Sequence, residues 1–319
     1  MVLLSNLRRM CATGLVIIGL GLSASVHATS YNSMVVFGDS LSDSGNIFDL
    51  FGGLFGPEPP YADSRFTSNF TDGTAGLVWV EHMAALMGLP LDNSVAGGTN
   101  YAFGGARATE NPGDLVPSMP DQLNFYFNDT NNVADPNALY VVFGGGNDVR
   151  DNDAANAAAS MAQMITDLAA AGATNFFVPS LPDIGLTPEA LSGGAPGGTA
   201  EEISAASAQH NANLAAEIAN LEATLGINII SFDLGGIFTD VIADPGAFGI
   251  TNTNEACILT ECLDPDSYLF FDGIHPTAAV HQVMGQLAFE SLTQVPVPAA
   301  LPLFLAALGV FGVRRRKVA

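Results

Sequence analysis

Short apolar runs alternate with longer helix-compatible stretches along most of this chain, and that alternation limits its fold more than any other feature. The runs at 33–38, 138–143, 175–179 and 227–232 have strand character, and a further short strand is predicted at 90–96. Helical periodicity marks 75–88, 153–171, 201–225 and 277–292. Strands linked through helical crossovers run parallel, and the helices cover both faces of the sheet. A strand buried on both faces reads as a nearly unbroken apolar run, as Leu139-Tyr140-Val141-Val142-Phe143 does. No internal repeat is present.

Two stretches break the pattern. Residues 49–73 are rich in Phe, Gly and Pro, and residues 183–198 in Pro and Gly. In open α/β sheets the loops past the carboxyl ends of the strands form the ligand crevice. Phe51, Phe55, Tyr61 and Phe66 are therefore candidates for an acyl pocket, with packing onto the core as the alternative.

Both ends carry the marks of export. Arg8 and Arg9 precede an apolar run at 14–22, and Val26-His27-Ala28 supplies a small-residue cleavage site, so 1–28 reads as a secretory signal peptide. At the other end, Val295-Pro296-Val297-Pro298 leads into an apolar stretch at 299–313 and then Arg314-Arg315-Arg316-Lys317. This segment, 295–319, resembles the exosortase (PEP-CTERM-like) sorting signal of exported bacterial proteins. The resemblance implies transient membrane insertion and a processing enzyme of exosortase type as a partner. An uncleaved anchor is the alternative, and in either case the basic end stays cytoplasmic.

The span 29–294 is long enough for one domain with a full core. Only Arg65, Arg107 and Arg150 remain there against all 32 acidic residues, a formal balance of −29. Such a body repels nucleic acid and anionic lipid head groups. It also contains no lysine, which excludes a Walker-A loop, a Schiff-base lysine and a Ser-Lys dyad. Cys11 falls in the signal peptide, so Cys257 and Cys262 are left as a pair in an exported domain and a local disulfide is expected.

Four blocks carry chemistry. In Val35-Val36-Phe37-Gly38-Asp39-Ser40-Leu41 an apolar strand stops at a turn bearing a serine. A serine hydroxyl needs a base to become a nucleophile, and a following helix would leave the Ser40 N–H free to face an anion. An N-cap serine is the plain alternative. Asn100-Tyr101-Ala102-Phe103-Gly104-Gly105-Ala106-Arg107 and Gly144-Gly145-Gly146-Asn147-Asp148 are glycine turns near strand ends. A glycine N–H and an asparagine amide suit a developing oxyanion, although tight turns alone account for either block. Asp272-Gly273-Ile274-His275 supplies a base and a carboxylate to orient it, with Pro276 at the expected first position of the last helix. His82, His210 and His281 fall inside helical stretches and read as structural or exposed.

Together the blocks resemble the SGNH or GDSL hydrolase family over about residues 30–292, with the roles in the family's chain order. Pro59-Pro60-Tyr61, Arg65-Phe66, Phe176, Val178, Leu181-Pro182 and the segment from Cys257 to Asp272 resemble its lipase and esterase branch. The resemblance implies a flavodoxin-like three-layer α/β sandwich with a five-stranded parallel sheet. It implies Ser40, Asp272 and His275 as catalytic residues, and an oxyanion hole from the N–H of Ser40, the N–H of Gly105 and the amide of Asn147. No cofactor is implied.

Two other motifs fail. The α/β-hydrolase elbow requires Gly-x-Ser-x-Gly, whereas Ser42 stands where its second glycine would be. Cys257, Cys262, His275 and His281 satisfy a loose zinc-finger spacing, but Pro276 separates the two histidines and no Lys or Arg lies between Cys257 and His281. The expected function is an exported serine ester hydrolase acting on lipid or small acyl esters, found in the cell envelope or outside the cell. An exopolysaccharide O-deacetylase and a non-catalytic surface or matrix protein with a degenerate hydrolase domain are the alternatives.

Overall fold

The computed structural model describes residues 31–110 and 113–293 of the 319. The signal peptide and sorting signal read from the sequence lie outside the described residues. No helix among those described is long and apolar enough to cross a membrane.

Strands β1 (Met34–Gly38), β2 (Leu139–Phe143), β3 (Asn175–Pro179) and β4 (Asn228–Phe232) form one sheet in that order, all parallel. In the same chain the helices are α1 (Asn46–Leu50), α2 (Trp79–Met87), α3 (Met119–Thr130), α4 (Gly146–Arg150) and α5 (Ala157–Ala170). They continue with α6 (Pro188–Leu191), α7 (Ala200–Leu225), α8 (Leu234–Ala243) and α9 (Ala278–Thr293). Between α8 and α9, β5 (Asn252–Ala256) and β6 (Tyr268–Phe270) make a small second sheet, also parallel.

Strand alternation sorts the core into two halves. Val36, Val141, Phe143 and Phe177 face Trp79 and Met83 of α2, Phe238 of α8 and Met284 of α9. Val35, Phe37, Tyr140, Val142 and Phe176 face Met119 of α3, Met161 and Ile165 of α5, and Leu214 of α7. This is the expected three-layer sandwich. Helices α2 and α9 approach closely because Gly285 has no side chain. A Cβ there would lie 2.5 Å from the His82 Cβ and 2.6 Å from the Trp79 carbonyl oxygen.

The main sheet has four strands where five were expected, and 90–96 does not form the predicted strand. Residues 94–96 form a tight turn, closed by the Asn93 side chain accepting from Ala96 N at 2.8 Å, and Gly97 follows at φ +90°. The chain then runs beside β1. Val36 N donates to the Thr99 carbonyl (3.1 Å), Tyr101 N to the Val36 carbonyl (2.7 Å) and Phe103 N to the Gly38 carbonyl (3.2 Å). The edge position thus passes to 99–103, with one parallel bridge between Val36 and Asn100.

Helix α3 was not anticipated. It begins with a capping box between Ser118 and Asp121, with a proline in the first turn. Its Gln122 is fully buried and holds the end of β1 from both sides: Gly38 N donates to Gln122 Oε1 (2.9 Å), and Gln122 Nε2 donates to the Gly38 carbonyl (2.8 Å). Replacing Gln122 with Met would keep the volume and leave the Gly38 N–H without a partner. Such a loss costs about 1–3 kcal/mol. Urea unfolding of Gln122→Met is expected to show a stability loss in that range at unchanged m-value.

Candidate active site

Gly38 ends β1 where the neighbouring strand is closest, since a Cβ on it would lie 2.6 Å from the Phe143 carbonyl oxygen. The chain then turns on itself. Ser42 N and Asp43 N both donate to the Asp39 carbonyl (3.0 Å each), and Leu41 N donates to Asp39 Oδ1 (3.0 Å). Ser40 therefore sits on a tight turn and not at a helix N-terminus as expected, because α1 begins only at Asn46. Asp43 takes the place of the missing helix. Its buried carboxylate accepts from the N–H groups of Gly45, Asn46, Ile47 and Gly104.

The other half comes from the loop between β6 and α9. Asp272 Oδ1 accepts from Ile274 N (2.8 Å) and His275 N (2.7 Å), which curls the four residues into one turn. Asp272 Oδ2 lies 2.6 Å from His275 Nδ1, and His275 Nε2 lies 2.8 Å from Ser40 Oγ. Residues 235 positions apart thus meet in one hydrogen-bonded line. Pro276 pairs with Phe270 as a β-bridge, and α9 opens at Ala278, so His275 stands two residues further from the helix than the sequence suggested. Burial alone would raise the Asp272 pKa. The attraction and hydrogen bond of the His275 ring and the N–H groups of Ile274 and His275 outweigh burial and hold it well below the usual carboxylate range.

Tyr61 was read as a candidate for an acyl pocket and as part of the lipase-branch resemblance. Its hydroxyl donates to the same Asp272 oxygen at 2.8 Å, and burial followed by the Asp272 charge keeps that phenol protonated. Phe66 lays its ring against His275, with centroids 5.0 Å apart. The aromatic loop predicted to line an acyl pocket thus buttresses the acid and the base. The Pro-Pro-Tyr run was a signal, but periodicity gives it no direction.

The glycine blocks are joined by side chains. Asn147 Nδ2 donates to the Ala106 carbonyl (2.8 Å). The fully buried Asp148 accepts from Ala108 N (2.8 Å), Thr109 N (3.2 Å) and Thr109 Oγ1 (2.6 Å). The Gly104 N–H is taken by Asp43, whereas Gly105 is exposed at φ +84°. Ser40, Asn147 and His275 line one cleft with Asp39, Arg150 and Ile184. Gly105 is outside that lining and connects to it through Ala106 and Asn147.

Of the other histidines, read as structural or exposed, His210 and His281 are buried and His82 is half-buried. His281 is fully buried and accepts from Trp79 N at 3.1 Å, and burial, then the charges of His82 and His275, push it down to about 3. Cys257 and Cys262 are joined in a disulfide, and among the described residues no group of three or more metal-ligating side chains could hold an ion.

Residues 34–288 match the family model described as GDSL-like Lipase/Acylhydrolase. The chain belongs to this family. Among its relatives, Lipase 1 of Photorhabdus luminescens is 34% identical over 54% of this chain and 26% of its own length. The thermolabile hemolysin of Vibrio parahaemolyticus is 28% identical over 84% of this chain and 65% of its own length. A GDSL esterase/lipase of Arabidopsis thaliana is 26% identical over 83% of each chain. The chain therefore spans less than two thirds of the first two. Est24, a carbohydrate acetylesterase from Sinorhizobium meliloti, is similar in structure at a TM-score of 0.45 and 15% identity, over 82% of this chain and 99% of that one.

Asp39, in this family chain's GDSL turn, is fully buried, and burial pushes its carboxyl up to about 6. Its stabilising contribution is then fully present below about pH 4, the unfolded value, and lost as pH rises through about 6. Asparagine keeps the oxygen that Leu41 N uses but carries no charge. Asp39→Asn is expected to be more stable than wild type at pH 8, by up to about 3 kcal/mol. The difference should vanish near pH 4, as thermal melts at both pH values would show.

Proposed function

We propose that this chain is an exported serine ester hydrolase that cleaves carboxylic esters through an acyl-serine intermediate. One observation carries the reading: the unbroken line from Ser40 Oγ through the His275 imidazole to Asp272. His275 Nε2 takes the Ser40 proton as Oγ attacks the ester carbonyl carbon. Asp272 holds Nδ1–H and stabilises the imidazolium that forms. The oxyanion is met by the N–H groups of Ser40 and Gly105 and by the Asn147 amide. His275 then passes the proton to the leaving alcohol. Water, deprotonated by the same imidazole, releases the acid and restores Ser40.

The Gly104 N–H is already taken by Asp43, which supports the choice of Gly105 as donor. Asn147 spends one amide hydrogen on Ala106 and keeps the other. Export is supported by the apolar and basic segments at both ends of the sequence and by the Cys257–Cys262 disulfide, a bond that persists in oxidising compartments. An exosortase-like processing enzyme remains part of the proposal on the strength of the tail sequence alone.

Ser40→Ala is expected to abolish p-nitrophenyl ester hydrolysis while leaving the melting temperature near that of wild type. An unchanged rate would remove Ser40 from the mechanism. Asn147→Ala should lower kcat roughly 10²-fold, and a loss of less than about threefold would leave Asn147 with only its bond to Ala106.

A further inference from the structure

Helix α2 starts without a local cap. Val78 precedes it and carries no polar side chain, so the N–H of Trp79 is one of the orphan donors that open any helix. Its acceptor comes from another helix. His281 of α9, one turn before the close contact at Gly285, offers Nδ1 to Trp79 N at 3.1 Å.

That bond fixes the state of the ring. Nδ1 accepts only while it carries no proton, so a neutral His281 keeps its hydrogen on Nε2. His281 is fully buried, and its Nε2 meets no partner among the described residues. His82, three residues after Trp79, also buries an Nε2 without a partner there. A proton added to His281 is opposed on every side. It turns Nδ1 into a donor facing the donor of Trp79. It places positive charge at the positive end of α2. It buries a charge with no hydrogen-bond acceptor. It also repels any charge on His82 and His275. The nearest acid, Glu81, acts on His82, but its two oxygens are held by Arg65 at 2.6 and 2.7 Å.

We propose that His281 is a positioning residue whose proton state gates the site: neutral, it caps α2 from α9; protonated, it releases Trp79. The inference rests on the hydrolase reading for its consequence and gives a role to a residue outside the line from Ser40 to Asp272. Trp79 transmits the change because its indole Nε1 donates to Ser42 Oγ at 3.1 Å, while α9 follows directly on the loop that carries His275. Releasing α2 in acid therefore loosens the mounting of both the serine and the imidazole. With α2 released, the His281 ring takes its proton near the ordinary value of about 6.5. In the closed joint, burial and then the charges of His82 and His275 push it down to about 3. The closed joint is thus fully favoured above about pH 6.5, and each pH unit below that weakens it by up to about tenfold.

Trp79 is buried and is the one tryptophan of the chain, so its fluorescence reports on this joint. In wild type the emission is expected to move reversibly to longer wavelength on acidification, with a midpoint between about 3 and about 6.5. His281→Asn keeps an acceptor oxygen and cannot take up a proton in this range. Its emission midpoint should fall by at least about one pH unit, and its ratio of kcat at pH 5 to kcat at pH 8 should exceed that of wild type at least about threefold. Asp39 and Asp43 titrate in the same range, but both proteins carry them, so the difference isolates position 281. A midpoint or a kcat ratio unchanged by His281→Asn overturns the proposal. Nitrogen NMR of histidine-labelled wild type tests it without a variant. His281 should be the Nε2–H tautomer at pH 8, and its protonation should coincide with the emission change. The Nδ1–H tautomer at pH 8, or a ring that protonates while the emission stays put, also overturns the proposal. Hydrolysis that survives Ser40→Ala would instead sink the serine mechanism and leave the fluorescence and NMR results standing.

Discussion

Asp43 accepts four backbone N–H groups, three from the start of α1 and one from Gly104, and the catalytic side of the molecule is organised around it. Without that carboxylate four backbone amides would lose their acceptor, and the turn carrying Ser40 and the loop carrying Gly105 would keep only the bonds that Asn46, Asn100 and Phe103 make between them. One buried acid converts them into a single rigid body. It also occupies the Gly104 N–H, so that amide is not open to another acceptor. A Cβ on Gly104 would lie 2.2 Å from the Phe66 ring, so the same loop is also closed against the ring that supports His275.

A second link brings the far end of the chain to this body. Trp79 Nε1 donates to Ser42 Oγ at 3.1 Å, two residues past Ser40, and Trp79 N donates to His281 Nδ1 at 3.1 Å, six residues past His275. The first turn of α2 therefore touches both halves of the site. Helices α2 and α9 also meet closely at Gly285. Thr67 Oγ1 on the Pro276 carbonyl and Ser68 Oγ receiving Ala278 N pin the loop between β6 and α9 from the other side. Precision at the serine thus comes from packing and capping far from it in sequence.

The four paired strands were legible because each is a short apolar run with both faces buried, a pattern that local sequence states directly. The residues of the site were legible for a different reason: a serine at a strand end and an acid three positions before a histidine are local spacings. What escaped was non-local. Residues 99–103 carry edge-strand hydrogen bonds with an ordinary glycine-flanked sequence, so nothing marks them before β1 is in place. Helix α3 carries a weak apolar stripe, and Gln122 matters only because Gly38 stands opposite. Tyr61 sits in an irregular loop, where no periodicity says which way a side chain turns. For the aromatic loop an acyl pocket and packing onto the core both stood open, and Tyr61 and Phe66 reached the Asp-His pair instead. Ile184 and Thr187 of the Pro-Gly stretch after β3 line the cleft that holds Ser40, where loops past the strand ends are expected.

Charge constrains what can enter. The three arginines of the described residues are all engaged: Arg65 with Glu81, Arg107 with Asp151 and Asp153, and Arg150 with Glu189 and Asp151. Arg150 lines the cleft, but both its Nε and one terminal nitrogen are held by Glu189 in a two-point pair, so its charge is already answered. Asp39 lines the same cleft. A phosphate or carboxylate on the substrate would therefore enter a strongly acidic body with its local cation already paired. Neutral esters meet no such barrier.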